Sequence, residues 1–274
     1  MILNTGSRTD IPAYFSDWFY KRIEEGYVMV RNPYYPEQVT RYVLNPSVVD
    51  VLVFCTKNPQ PMISRLERLS TYDMFWFVTI TPYGREIEPF VPPKEKVIES
   101  FRQLSEMTGR EKMSWRYDPV FITEKYSVDY HIACFAEMTE KLRGYTGQCV
   151  VSFLDLYEKT KRNFREARGV TRDEQERIIE AFAGIAEANG MQVPKKKTAR
   201  EACSCLLGAD IGVYNTCGHG CLYCYANYDR KSVEENRKRH DVNSPLLIGH
   251  LKETDHVKEA QQKSFIDTQM RLFL

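Results

Sequence analysis

The chain has 274 residues, 43% of them hydrophobic and 27% charged, with a formal net charge of +1. Such values describe an ordinary soluble globular protein with room for a sizeable core, and no global field to gather nucleic acid or an acidic membrane. The longest apolar runs, "VVDVLVFC" and "MFWFVTI", are too short to span a bilayer, and "MILNTGSRTD" has neither the basic nor the long apolar region of a signal peptide, so a cytoplasmic location is expected.

"ILNTG", residues 2–6, predicts a first strand. Pro12 and the spacing of Phe15, Trp18, Phe19 and Ile23 predict a helix closed by Gly26. "YVMVR" predicts a second strand at 27–31, cut by "NPYYP". Residues 48–54 predict a third, and "QPMISRLERL" the helix after it. Residues 74–80 predict a fourth. Beyond the proline-rich "EPFVPPK", Val97, Ile98, Phe101 and Leu104 share one helical face as far as Gly109. A fifth strand is predicted at 112–117, a helix over 128–142 with Ile132, Phe135 and Met138 on one side, and a sixth strand at 149–153. In "TRDEQERIIEAFAGIAEANG", Thr171 is the expected N-cap, Glu174 completes a capping box and Gly190 ends the helix. A short seventh strand at "MQV" and an eighth at 209–214 close the series. Trp18, Trp76 and Trp115 read as core.

Strands alternating with helices predict an α/β protein with a parallel sheet. Six to eight such units over this length favour a complete or partial (β/α) barrel of the TIM-barrel kind. An open doubly wound sheet would carry a G-x-G-x-x-G after its first strand, and none is found. The barrel is expected to span 1–240, with 241–274 a polar tail that wraps the outside or is partly disordered. Polar residues just past barrel strands converge on one mouth. Those positions hold Arg8, Thr9, Asp10, Asn32, Thr56, Lys57, Asn58, Thr81, Arg116, Asp118, Ser152, Asp155 and Asn215. Each alone can be a cap or a turn residue; as a set they mark a site, with Asp10, Lys57, Arg116 and Asp118 the candidate catalytic group. Arg116 and Asp118 flank Tyr117, as an internal ion pair or as a substrate anchor.

Eight cysteines in a chain of this kind are not expected to form structural disulfides. Cys55, Cys134 and Cys149 are scattered and read as small buried hydrophobes. Cys203, Cys205, Cys217, Cys221 and Cys224 crowd together. "NTCGHGCLYCYAN", residues 215–227, spaces three of them C-x3-C-x2-C between a strand and a helical stretch. Soft thiolates select zinc or iron–sulfur centres, and a closed site takes four ligands, so three leave one position open. Gly218 and Gly220 would let the backbone wrap closely round an inorganic core. His219 reads as an exposed loop histidine or as a hydrogen-bond donor to sulfur. Lys195, Lys196 and Lys197 beside Arg200 read as a solvated linker; a nucleic-acid partner is not indicated by the net charge.

With Tyr223 just before the third cysteine, this loop resembles the signature of radical S-adenosylmethionine (SAM) enzymes, above all the spore photoproduct lyase and DNA-repair-photolyase-like branch. "FCTKNPQPMISRLERL" and "FVTITPYGREIEPFVPPKEKVIESFRQL" are similar to segments that follow the loop in that branch, but here they precede it. The chain thus resembles a circularly permuted radical SAM barrel whose cluster-bearing strand lies at the C-terminus. Nearly its whole length also resembles domain-of-unknown-function family 1848, through "SRTDIP", "VRNP", "TKNP", "RYDPV", "VSFLDLY" and the cysteine loop. Relatives there have a longer, more cysteine-rich stretch where this chain joins its two sides through residues 191–202.

The resemblance implies a 4Fe-4S cluster held by Cys217, Cys221 and Cys224, the amino and carboxylate groups of SAM on the open iron, and Tyr223 beside the adenine. Asn215, at the head of the loop, is the further cofactor-binding candidate. One electron from a flavodoxin- or ferredoxin-like donor would break the sulfonium bond to C5′ and release a 5′-deoxyadenosyl radical that takes hydrogen from an unknown substrate. The glycine-rich SAM motif of many such enzymes is not evident. Two other readings stay open: a structural zinc with Cys203 or Cys205 as fourth ligand, stapling a hydrolase or binding module, and a non-catalytic SAM- or cluster-binding sensor. At about 3.3 Å per strand residue, Cys203 and Cys205 are not expected to reach the cysteine loop; they read as plain thiols or part of an auxiliary centre.

Overall fold

Along the chain the elements are β1 (Ile2–Asn4), α1 (Ile11–Tyr14), α2 (Ser16–Glu25), β2 (Tyr27–Arg31), β3 (Gln38–Val43), β4 (Val51–Thr56), α3 (Gln60–Ile63), β5 (Met74–Thr79), α4 (Lys94–Thr108), β6 (Met113–Val120), α5 (Val128–Lys141), β7 (Cys149–Phe153), α6 (Glu158–Asn163), α7 (Arg172–Ala188), β8 (Ala209–Asp210), α8 (Arg230–Lys238) and β9 (His256–Glu259). The computed structural model describes residues 1–156, 158–192 and 208–266. Cys203, Cys205, the lysine run at 195–197 and most of the 191–202 junction lie outside the described residues.

The main sheet has six strands in the order β7-β6-β5-β4-β1-β8, every neighbouring pair parallel. Strands buried on both faces read as unbroken apolar runs, and β4 "VLVFCT" and β5 "MFWFVT" do so. Helices flank this sheet. Trp18 and Phe19 from α2, Phe101 and Leu104 from α4, Phe135 from α5 and Phe182 from α7 join Leu3, Phe54, Trp76, Trp115 and Tyr117 of the strands in one core cluster. All three tryptophans are fully buried, as the sequence suggests. The ring of Phe182 stacks on Phe135 at 3.8 Å between centroids, and Phe135 stacks on Trp115 at 4.9 Å, so α7, α5 and β6 are tied in file. The α/β class and the parallel sheet are as expected; a closed barrel is not seen.

The second strand departs from expectation. β2 leaves the parallel sheet and forms a separate one in the order β2-β3-β9, antiparallel to β3, while β3 runs parallel to β9. The short polar "QVTRYV" of β3 and the wholly exposed "HVKE" of β9 carry no apolar run to betray them. Asn32 therefore lies in the β2–β3 hairpin, accepting from the backbone N–H groups of Tyr34 and Tyr35, and not at the mouth. The last stretch is also more than a polar wrap. Leu246 and Leu247 are buried, and Trp18 Nε1 donates to the carbonyl of Ser244 at 2.8 Å. No helix among the described residues is long and apolar enough to cross a membrane.

Local chemistry sets the helix ends where the sequence places them. Gly26 and Gly190 both take positive φ at the ends of α2 and α7. The capping box at α7 is complete: the Thr171 side chain accepts from the Glu174 backbone N–H, and the Glu174 carboxylate accepts from Thr171 N at 2.9 Å. Thr171→Ala is expected to cost about 1 kcal/mol of stability, the usual loss for such a cap, measured as a shift in the urea unfolding midpoint.

Candidate functional site

Parallel strands deliver their C-terminal ends to one rim, where open α/β sheets bind ligands. Here residues of β4, β5, β6 and β7, among them Arg116, Asp118 and Ser152 within their strands, and the segments leaving β1, β4, β7 and β8 line a cavity of about 330 Å3. Its wall carries the whole candidate catalytic group, Asp10, Lys57, Arg116 and Asp118, together with Tyr223 and all three loop cysteines, Cys217, Cys221 and Cys224. Arg8, Thr9, Thr56, Ser152 and Asp155 join them. Cys55 is also there, not merely a core filler; burial raises its thiol to about 11, and Arg116 only partly opposes that.

Asp10 is buried and fully engaged. Its Oδ1 caps α1 by accepting from Ala13 N at 3.0 Å, and its Oδ2 accepts from Lys57 N at 2.8 Å and from His219 Nε2 at 2.7 Å. His219, 2% exposed, bonds through Nδ1 to the Tyr14 hydroxyl at 3.0 Å. The expected exposed loop histidine is thus a buried strut. It sits between Cys217 and Cys221 and ties their loop to α1, which makes Asp10 an anchor of the loop.

Gly218 and Gly220 are fitted closely to the protein around them. A Cβ on Gly218 would meet Arg237 Nη1 at 2.2 Å and the Tyr14 ring at 2.8 Å; Gly220, at φ 68°, would press on Phe90 and Pro89 at 3.0 and 3.1 Å. Both glycines admit neighbouring side chains of the protein. The loop is further stitched to the segment after β5 by Leu222 N donating to Ile87 O (3.1 Å) and Phe90 N to His219 O (3.2 Å).

That segment supplies a residue the sequence reading missed. Glu88 is 2% exposed, and its carboxylate accepts from Thr81 Oγ1 at 2.7 Å, Lys57 Nζ at 2.9 Å, Lys94 Nζ and the Tyr223 hydroxyl. Burial pushes its pKa up, but the ammonium groups of Lys57 and Lys94 and the bonds from Lys94 and Tyr223 prevail and hold it near 2. The Lys57 ammonium, disfavoured by burial, is held above its ordinary value by Glu88, whereas burial leaves Lys94 below its own. Tyr223 itself packs among Tyr83 and Phe121, its hydroxyl pushed far up by burial and by the charges of Cys221 and Glu88.

Across the cavity, Arg116 pairs with Asp118, and Ser152 Oγ donates to the other oxygen of Asp118. The expected ion pair is present, and it stands in the cavity wall. Asn215 is placed differently: at φ 58° it accepts from Tyr228 N through its side chain and from Asn236 Nδ2 (3.1 Å) through its carbonyl. It shapes the loop's entry and exit and is not part of the wall.

The three loop cysteines are part-buried. Burial raises the Cys217 thiol well above its usual range, with Asp10, Cys224 and Cys221 adding to the effect; Cys221 is pushed to about 12 by burial, with Lys57 opposing. Three mutually repelling sulfurs in one wall call for a positive partner to become thiolates. Among the described residues no three His, Cys, Asp or Glu side chains are grouped to hold a single metal ion; an iron–sulfur cubane takes its thiolates on separate irons. Three local cysteines, as thiolates, would suit such a group by donor chemistry.

A family model described as Domain of unknown function (DUF1848) matches residues 2–195 and 192–226. The two matched segments overlap at residues 192–195. No curated protein and no solved structure matches the chain.

Proposed function

The chain belongs to the DUF1848 family, and we propose that it is a radical SAM enzyme holding a 4Fe-4S cluster on Cys217, Cys221 and Cys224. The observation that carries this reading is the position of β8. It lies at the sheet edge beside β1, so the order β8-β1-β4-β5-β6-β7 runs in sequence if the chain is counted from β8. A partial (β/α) barrel with its first strand relocated to the end has that order. The relocated strand then delivers the cysteine loop to a cavity walled by the ends of the other parallel strands.

A cluster and SAM bound there would supply one-electron reductive cleavage of the sulfonium–C5′ bond. The chain's own residues set the stage. Cys217, Cys221 and Cys224 would hold iron as thiolates. Asp10, through His219, fixes the first half of the loop, and Glu88, through Tyr223, fixes the second. Tyr223, in the cavity wall, is the residue proposed to meet the adenine. Arg116, oriented by Asp118 and Ser152, is the proposed substrate anchor on the opposite wall. Asn215 acts only through the loop's shape. A flavodoxin- or ferredoxin-like donor would supply the electron, which suits a cytoplasmic setting.

The test is electron paramagnetic resonance of anaerobically iron-loaded, dithionite-reduced protein. SAM bound at an open iron is expected to change the cluster's spectrum, and Cys221→Ala is expected to remove that change. A spectrum indifferent to SAM would refute the assignment of an open iron.

A further inference from the structure

The Glu88 site is unbalanced. Two ammonium groups, Lys57 and Lys94, share one carboxylate, and the other two partners, Thr81 and Tyr223, are neutral hydroxyls. Glu88 has 1% of its side chain exposed, Lys57 14% and Lys94 20%. A buried charge is costly unless an opposite charge meets it. Asp118 is paired with Arg116, and Asp10 bonds Ala13 N, His219 and the backbone N–H of Lys57 rather than its ammonium. The two ammonium groups on one carboxylate stand beside the cysteine loop, since Tyr223, which donates to Glu88, is flanked in sequence by Leu222 and Cys224, and Lys57 shares the cavity wall with Cys221.

Resting on the cluster reading above, we infer that Lys94, with Lys57 and Glu88, is a built-in counter-charge that tunes how readily the cysteine loop's metal centre accepts its electron. An electron arriving at the centre adds negative charge within the low-dielectric wall, and a fixed ammonium there stabilises the reduced form. Glu88 works in the opposite sense and holds the two lysines in place. These three are positioning residues: none is argued to touch SAM or substrate.

The geometry makes a prediction with two signs. Lys94→Met keeps the side chain's length and removes the charge, so the one-electron midpoint potential of the centre, titrated with dithionite and mediators, is expected to move to more negative values. Glu88→Gln keeps an acceptor for Thr81 and Tyr223 and removes the negative charge, so its potential is expected to move to more positive values. Lys94→Arg is expected to stay at the parent value, as is Lys125→Met, whose ammonium pairs with Glu86 and is 60% exposed. Structural damage alone would push both charge variants the same way. Both potentials unchanged, or both moved in one direction, overturns the inference. If Lys94→Met does not retain iron, Glu88→Gln against Lys94→Arg decides: a potential above the arginine variant supports the inference, and an equal one overturns it. A parent protein with no reducible centre would instead overturn the proposed function, and the inference with it.

Discussion

Cys221→Ala is expected to reduce reductive SAM cleavage to the level of a protein-free control. Cys221 is the middle one of the three proposed ligands, and its loss would strip a thiolate from one iron of the proposed cubane. The loop's frame rests largely on bonds that the substitution leaves in place. Cys224 N still donates to Cys221 O at 3.1 Å, Leu222 N to Ile87 O at 3.1 Å, and His219 stays bonded to Asp10. The variant is therefore expected to unfold within about 1 kcal/mol of the parent, the range of substitutions outside a core. Assay of 5′-deoxyadenosine alongside urea unfolding separates the two effects. Parent-like cleavage by this variant would show that the ligands are misassigned.

Glu88→Ala is expected to be the most damaging single change at the site, costing about 3–5 kcal/mol, as when one partner of a buried ion pair is deleted. It leaves Lys57 and Lys94 facing each other with no carboxylate and removes the acceptor for Thr81 and Tyr223. The pH dependence follows from the same bonds. The carboxyl is held near 2 in the folded protein, below its ordinary value of 4.5. A depressed carboxylate stabilises fully above its unfolded pKa and loses that contribution as pH falls to the folded one. The parent should therefore lose stability between about pH 5 and pH 2, and the part of that loss due to Glu88 should be missing in Glu88→Gln. Equal acid sensitivity of the two proteins would contradict the ion-pair account.

The residues that show what sequence can and cannot reveal are those of the cavity. Cys217, Cys221 and Cys224 are legible because their spacing is local, and Asp10, Lys57, Arg116 and Asp118 because each lies in or just after an apolar run that reads as a strand. Parallel pairing then brings them to one rim. Glu88 was invisible for the opposite reason. It stands in the irregular "GREIEPFVPP", with no periodicity around it, and its partners lie 31, 7, 6 and 135 positions away. Only the folded chain brings them together. His219 was misplaced because a histidine between two glycines looks exposed, and nothing local announces Asp10, 209 residues earlier, as its partner. The assignment of β2 to the main sheet failed similarly: "YVMVR" does form a strand, but its pairing with β3 follows from the hairpin and not from its own composition.

The measurement that bears most directly on the central claim is product analysis of anaerobically purified, iron-loaded protein, reduced with dithionite and given SAM. The account predicts brown protein with about four irons per chain, as one cubane requires, and release of methionine and 5′-deoxyadenosine. Colourless protein that binds stoichiometric zinc, takes up no iron on anaerobic reconstitution and leaves SAM intact would contradict it.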